Sequence, residues 1–363
     1  MMELPLDTIL QGDTLAILPE LPEACVDLIF ADPPYNLQLQ QELWRPNLTR
    51  VDAVDDAWDQ FDSLAAYDAF TGAWLDAARR ILKPTGTIWV SGTYHNIFRV
   101  GAIMQDLGYW ILNVVTWFKP NAMPNFRGSR LKNDVEFVIW AKREQAGRYT
   151  FNHHDMKRYN QDKQLGSVWT IPVCGGEERL KDVDGKKLHS TQKPEALLER
   201  IIFASSVPGD MVFDPFMGSG TTAAVAKKLH RHYAGIERDP VYVAAARRRL
   251  EAVQPFPADD PLLQASSQDK PPRVPFKNLL EAGYLQPGQT LTLDKPVVTA
   301  IVLADGTIQA DGITGSIHRV GAYLKQTPSC NGWAHWSVVD PATGETTRLD
   351  TLRRRYRRNV PER

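Results

Sequence analysis

Cysteine is scarce: Cys25, Cys174 and Cys330 are the only three in 363 residues, odd in number and far apart. That excludes a disulfide scaffold and fits reduced thiols. No Cys/His cluster has zinc-ligand spacing, the adjacent His153 and His154 included, so no metal is expected. No apolar run reaches the roughly 18–20 residues that a membrane span needs. No basic stretch followed by an apolar one opens the chain, so the expected location is the cytoplasm. Long-period repeats are lacking as well.

Basic residues are few near the start. Residues 1–80 hold four, Arg45, Arg50, Arg79 and Arg80, against fifteen acids. The balance reverses at 119–163, where ten Lys and Arg face five acids, and again in a tail that carries Arg348, Arg353, Arg354, Arg355, Arg357, Arg358 and Arg363. The net charge of -1 therefore conceals segregated basic regions, which suit an anionic partner such as nucleic acid.

What is present is strand–helix alternation. VDLIFADPP and GTIWVSG read as strands, as do YWILNVVTWF, EFVIWAK, DMVFDPF and HYAGIE. Between them, SLAAYDAFTGAWLDAARRILK spaces Leu64, Tyr67, Phe70, Trp74, Leu75, Ala78 and Leu82 on one helical face, with Ser63 as its cap. The fold class expected is α/β, a doubly wound Rossmann-like sheet over residues 1–253. Residues 144–190 read as irregular and polar. Residues 254–273 are rich in Pro, Asp and Ser and read as a linker. Residues 274–363 read as a small β-rich domain with a D-G turn, closed by a basic helix.

Two strand ends carry the chemistry. FDPFMGSGTT, residues 213–222, places Gly218 and Gly220 between a strand and a helix start, where a ligand can approach the backbone. Neither the dinucleotide fingerprint nor a phosphate-binding lysine accompanies it. Glu237 ends the next strand about 20 residues on, where an acid holds a ribose diol. Glycines plus Glu237 read as a site for an adenosine-containing cofactor, and S-adenosylmethionine fits. The other end is Asp32-Pro33-Pro34-Tyr35. Prolines leave carbonyls without competing N–H donors, and a carboxylate beside them makes an acceptor-only site suited to an –NH2 group. Tyr35 offers a flat face for a base.

With D-P-P-Y, F-x-G-x-G, HSTQKP (residues 189–194) and GDTL (12–15), the chain resembles the amino-methylating DNA methyltransferases. Its motif order, catalytic half first, is the circularly permuted order of their β group. FADPPYNLQLQ, YHNIFRVG, MPNFRGSR, GSIHRVGA and CNGW extend the likeness to the cell-cycle-regulated DNA adenine methyltransferases over nearly the whole chain. The resemblance implies N6-adenine methylation at GANTC in double-stranded DNA by base flipping, by a homodimer. It implies catalysis by Asp32, Pro33, Pro34 and Tyr35. It also implies cofactor contacts from Asp13, Asp32, Lys193, Asp214, Phe216, Gly218, Gly220, Thr221 and Glu237. Residues 144–190 would be the target-recognition segment, with Lys157, Arg158 and Lys163 on phosphates.

DNA contacts are expected from Asn125, Arg127, Arg130 and Lys132 in the loop KPNAMPNFRGSRLKN, and from Ser316, His318, Asn331, Trp333 and Arg354 in the C-terminal domain. Trp333 suits a core equally well. ELWRPNLTRVDAVDDAWDQF reads as a lid whose acids would repel DNA and meet basic residues of a second subunit. Alternatives are N4-cytosine methylation, or a DNA-binding regulator that senses the cofactor without transfer. C5-cytosine chemistry is disfavoured, because no cysteine follows a proline.

Overall fold

The computed structural model describes residues 4–37, 59–125, 128–182, 184–260, 263, 274–340 and 343–359. The chain divides into two units, Met1–Ser266 and Ser267–Arg363.

The first unit is organised on β1 (Thr8–Gln11), β2 (Val26–Ala31), β3 (Leu82–Gly92), β4 (Trp110–Phe118), β5 (Val135–Lys142), β6 (Val168–Thr170), β7 (Met211–Asp214) and β8 (His232–Glu237). Their spatial order is β1-β8-β7-β2-β3-β5-β4-β6. Only β5 runs antiparallel to its neighbours among these strands. Side chains alternate between two cores. Leu28, Phe30 and Trp89 enter one, with Leu197, Ile201, Ala223 and Val243 from three helices. Ile29, Ala31, Ile88 and Val90 enter the other, with Trp74, Leu75, Ala78 and Val100. Burial on both faces is why LIFA, residues 28–31, is apolar throughout rather than alternating.

The crossovers set the site. From β2 the chain goes to β3 on one side, through the helix Leu64–Ile81; from β7 it goes to β8 on the other, through Thr221–Lys228. β2 and β7 are therefore neighbours, with Leu28 opposite Val212 and Ile29 opposite Phe213. Their carboxyl ends open a crevice at the topological switch point, the usual ligand position in such sheets.

Two expectations need correcting. The short strand β1 escaped the sequence reading because four residues carry little periodicity; it pairs with β8 and brings Gly12 N to the Glu237 carbonyl at 2.9 Å. Residues 144–190 are not irregular throughout. They supply a helix, His153–Tyr159, and strand β6, and they bury Met156, Trp169 and Ile171. The Arg200 guanidinium lies over the Tyr159 and Trp169 rings at 5.4 and 5.1 Å, tying this segment to the helix Glu195–Ser205. Within the expected linker, 254–273, Phe256 and Leu263 pack on the first unit's core.

The second unit carries β9 (Thr290–Leu293), β10 (Val298–Val302), β11 (Ile308–Ala310), β12 (Ile313–Gly315), β13 (Trp336–Val339) and β14 (Thr346–Arg348). They form one antiparallel sheet in the order β12-β11-β10-β9-β13-β14. The D-G turn joins β11 to β12, with Asp311 and Gly312 both left-handed at φ 46° and 75°. No helix among the described residues is long and apolar enough to cross a membrane.

Candidate active site

A cavity of 590 Å³ opens at the carboxyl ends of β2 and β7. Asp13, Asp32, Pro33, Pro34, Tyr35, His189, Lys193, Asp214, Phe216, Gly218, Thr221 and Glu237 all line it. Of the residues expected at the catalytic and cofactor sites, only Gly220 is not on its wall. It stands directly behind, as the left-handed cap (φ 76°) of the helix Thr221–Lys228.

On the β2 side, Tyr35 is buried and its hydroxyl meets three groups. Tyr35 Oη donates to Asp32 Oδ1 at 2.7 Å, which leaves Ser91 Oγ, also at 2.7 Å, to donate to Tyr35 Oη. Glu136 Oε2 lies at 3.3 Å from the same oxygen. Burial, with the Asp32 and Glu136 charges, pushes the Tyr35 phenol well above its ordinary range, so it remains a donor. Lys193 Nζ donates to Asp32 Oδ2 at 2.6 Å and stands 3.8 Å from Glu136 Oε2; Lys119 Nζ holds Glu136 Oε1 at 2.9 Å. Two carboxylates and two ammonium groups thus balance in a buried quartet. Burial alone would raise Glu136, but Lys193 and Lys119 outweigh it and hold the carboxyl below its usual range. The Pro34 carbonyl accepts from Tyr67 Oη at 3.0 Å, whereas no hydrogen bond reaches the Pro33 carbonyl among the described residues.

Sequence reasoning missed Asp59. It sits near the end of the acidic stretch that was read as a lid, and residues 42–58 of that stretch lie outside the described residues. Asp59 is 3% exposed. Its Oδ1 accepts Tyr35 N at 2.6 Å and Asn36 N at 2.8 Å, and its Oδ2 accepts Leu37 N at 2.8 Å. Asn36 is left-handed at φ 53°, and this turn gathers the three N–H groups around one carboxylate. A run of acids in sequence gives no sign of which one turns inward.

On the β7 side, Glu237 Oε2 accepts Gly218 N at 2.8 Å and its Oε1 accepts Asp239 N at 2.7 Å, so the acid and the glycine loop are one unit. Asp214 accepts Phe216 N at 2.9 Å and the Thr222 hydroxyl. Burial raises its carboxyl to about 7, against those two bonds, with the Asp32 and Glu237 charges adding to the rise. Phe216 packs edge-on against Trp74 at 5.3 Å. Asp13 caps Leu15 N at 2.8 Å, and its neighbour Thr14 donates to the Pro215 carbonyl at 2.5 Å.

His189, part of HSTQKP but given no role from sequence, closes the glycine loop from above. A methyl group on Gly218 would stand 3.0 Å from His189 Nε2. Burial, then Lys193 and Arg179, lower its pKa to about 4, so the ring is neutral. Its Nδ1 accepts Thr191 N at 3.2 Å, which puts the proton on Nε2.

Residues 26–248 match the family model described as DNA methylase, of the N6/N4 type. The chain belongs to the N6/N4 DNA methylase family. Residues 258–362 of this methylase match a second model, Restriction Enzyme Adenine Methylase Associated. The methylase is 47% identical over 352 residues to the Type II methyltransferase M.HinfI of Haemophilus influenzae, covering 97% of each chain. It is 38% identical over 248 residues to M2.MboI of Moraxella bovis, covering 68% of this chain and 88% of that one. Its structure is similar to that of the M1.HpyAVI–SAM complex, with a TM-score of 0.50 and 27% identity over 69% of this chain and 99% of that one. A PvuII methyltransferase described as cytosine-N4-specific shares the fold, with a TM-score of 0.52 at 22% identity over 67% and 85% of the two chains. The protein is thus an enzyme that methylates DNA, with S-adenosylmethionine as donor. The Rossmann-like sheet and separate β-rich unit agree with the sequence reading.

The expected DNA contacts fare unevenly. Arg130 and Lys132 are exposed on the β4–β5 loop, and Arg130 donates to Tyr94 Oη at 2.6 Å. Asn125 is half-buried in the same loop, and Arg127 lies outside the described residues. In the second unit, Ser316 and Asn331 are exposed, and Ser316 caps the helix Ile317–Lys325 by accepting Arg319 N. His318, also exposed, has Nδ1 3.0 Å from both the Cys330 carbonyl and Gly332 N, which joins GSIHRVGA to CNGW. Trp333 departs from the expected base contact and takes the core role instead: it packs near Phe276 in the second unit's core, with the Arg353 guanidinium over its ring at 4.7 Å. The basic helix Leu349–Asn359 also spends part of its charge internally, Arg353 on Asp350 and Arg355 on Asp340. Arg354 remains 71% exposed. Among the described residues, no cluster suits a metal ion.

Proposed function

We propose that this methylase modifies N6 of adenine within GANTC in double-stranded DNA, acting as a homodimer on a base flipped out of the stack. The observation that carries the reading is the pairing of the Asp32 carboxylate with the Pro33 carbonyl, unengaged among the described residues, in the cavity that Glu237 and the glycine loop also line. Two acceptors side by side suit the two hydrogens of an exocyclic amine. Held by both, the nitrogen turns its lone pair out of the ring plane for direct attack, and no covalent bond to the enzyme is needed.

The residues present fit the cofactor. The cavity is of small-molecule size. A side chain on Gly218 would fill the space below His189, and Glu237 offers a carboxylate for a ribose diol. By the family resemblance, Asp13 would lie near the adenine and Lys193 near the methionine end, and Thr221 lines the same cavity. When bound, S-adenosylmethionine supplies an electrophilic methyl group on sulfur. Flipping the base costs roughly a few kcal/mol, which phosphate contacts from Arg130, Lys132 and Arg354 would offset.

Adenine as the target is supported by the C-terminal match to an adenine-methylase-associated region and by Asp32, where N4-cytosine enzymes often carry serine. GANTC and the dimer rest on the resemblance of the motif stretches. The test is transfer of labelled methyl groups to GANTC duplexes, with nucleosides separated afterwards. N6-methyladenine is expected, and Asp32→Ala should abolish it while cofactor affinity persists. An N4-methylcytosine product, or full activity of the variant, would sink the reading.

A further inference from the structure

Lys193 stands where a target base would make its contacts. Its Nζ is 2.6 Å from Asp32 Oδ2 and 5.1 Å from the centre of the Tyr35 ring. Those are the two groups that a stacked, amine-bearing base would use. The other Asp32 oxygen accepts the Tyr35 hydroxyl, so both are engaged. An ammonium group is a donor like an amino group, and here it is an internal stand-in for one. The side chain is 7% exposed, so this is no surface pair exchanging freely with water.

A second acceptor is within reach. Glu136 Oε2 lies 3.8 Å from Lys193 Nζ. Glu136 itself is fixed at the start of β5 by Lys119 on its other oxygen. A travel of roughly 1 Å would bring Lys193 to hydrogen-bond distance of Glu136. The lysine stem allows such a shift, and the quartet stays neutral throughout.

We propose that Lys193 is a gate on the base-binding position, passing from Asp32 to Glu136 as the target amine enters. The proposal rests on the amino-methyltransferase reading of the site. With no base bound, the ammonium keeps a buried carboxylate compensated; an uncompensated one is costly. When a base arrives, only a group that can itself donate to Asp32 displaces the lysine favourably. A base presenting a carbonyl oxygen would face the carboxylate with like charge. Glu136 is then a positioning residue acting through Lys193. It also links the gate to the β4–β5 loop, because Lys119 begins that loop and Glu136 follows its end.

The test compares wild type, Glu136→Gln, Lys193→Met and the double variant on GANTC duplexes, with cofactor affinity measured by calorimetry. Glu136→Gln removes the second acceptor's charge and strands Lys193 on Asp32. Its kcat should fall about tenfold or more at unchanged cofactor affinity. Adding Lys193→Met should recover most of that loss, because nothing then blocks Asp32; a purely structural role for Glu136 predicts no recovery. A double variant no faster than Glu136→Gln overturns the gate. So does a loss of cofactor affinity in Lys193→Met that accounts for its whole defect. A second measurement needs no turnover: a duplex with 2-aminopurine at the target adenine lacks the displacing amine. Its fluorescence on binding should rise more with Lys193→Met than with wild type, and equal signals count against the gate. Wild-type product analysis, run in parallel, separates the two claims. If wild type methylates no amino group, the functional reading fails; if it does and the double variant shows no recovery, only the gate fails.

Discussion

Asp59 Oδ1 takes the backbone N–H of Tyr35 at 2.6 Å, across a 24-residue separation. The carboxylate that shapes the catalytic turn thus comes from outside the motif. Asp59→Ala would strand three N–H groups, two buried on Oδ1 and one part-buried on Oδ2. Bonds to a charged group contribute about 1.5–3 kcal/mol each, and part is regained by water, so a loss of about 2–4 kcal/mol is expected. Because the released turn carries Tyr35, kcat should fall more than cofactor affinity does. Thermal melts and methyl-transfer rates check this; a variant with wild-type melting and rate would show that the turn holds itself.

Gly218→Ala should weaken cofactor binding. The residue is left-handed at φ 51°, which costs a non-glycine residue about 1–2 kcal/mol. The new methyl group would also crowd His189 Nε2 at 3.0 Å. An increase in Kd of about tenfold is expected, equivalent to about 1.4 kcal/mol. Gly209→Ala is the control, with φ 88° and open space around its missing side chain. It should lower stability similarly and leave affinity unchanged. Calorimetric titration with S-adenosylmethionine distinguishes the two.

Two cavity groups oppose each other in pH dependence. His189 has its pKa lowered to about 4 from 6.5, so between those values the unfolded chain holds the extra proton and stability rises with pH. Asp214 has its pKa raised to about 7 from 3.8, so there the folded chain holds the extra proton and stability falls as pH rises. Between about pH 4 and 6.5 the two contributions cancel. Relative to wild type, His189→Asn should therefore lose stability as pH rises through that window, and Asp214→Asn should gain it. Each slope is about 1.4 kcal/mol per pH unit. Denaturant titrations at several pH values measure both slopes, and parallel curves for the three proteins would refute the assignment.

How much was legible in the sequence depended on whether a residue acts locally. Asp32, Tyr35, Gly218 and Glu237 sit at strand ends, where the apolar run announces the strand and the odd residue announces the site. Strand order then brings Asp32 and Asp214 to one cavity, because β2 and β7 pair. Asp59, His189 and Glu136 were not legible in their roles. Each acts across a long chain separation, on Tyr35, Gly218 and Lys193, and nothing in its neighbours' pattern encodes the partner. Trp333 was ambiguous for a different reason: an aromatic beside Asn331 and Gly332 suits a base or a core equally, and only its packing with Phe276 decides. Residues 151–171 were obscured because their few buried side chains are scattered among polar ones, and β6 is only three residues long.

The basic tail helix should separate into two kinds of arginine. Arg353 lies over Trp333 at 4.7 Å and pairs with Asp350, and Arg355 pairs with Asp340, itself 2% exposed. Removing either should destabilise the second unit, Arg355 the more because Asp340 is buried. Arg354 is 71% exposed, and its contact with Asp350 is a surface pair contributing roughly 0–1 kcal/mol. Arg354→Ala should therefore leave melting unchanged. It should weaken DNA binding about equally on GANTC and unrelated duplexes, and reduce the salt slope by about one. Binding isotherms at several salt concentrations test this alongside melts of Arg355→Ala. Loss of affinity confined to GANTC would instead place Arg354 on a base edge.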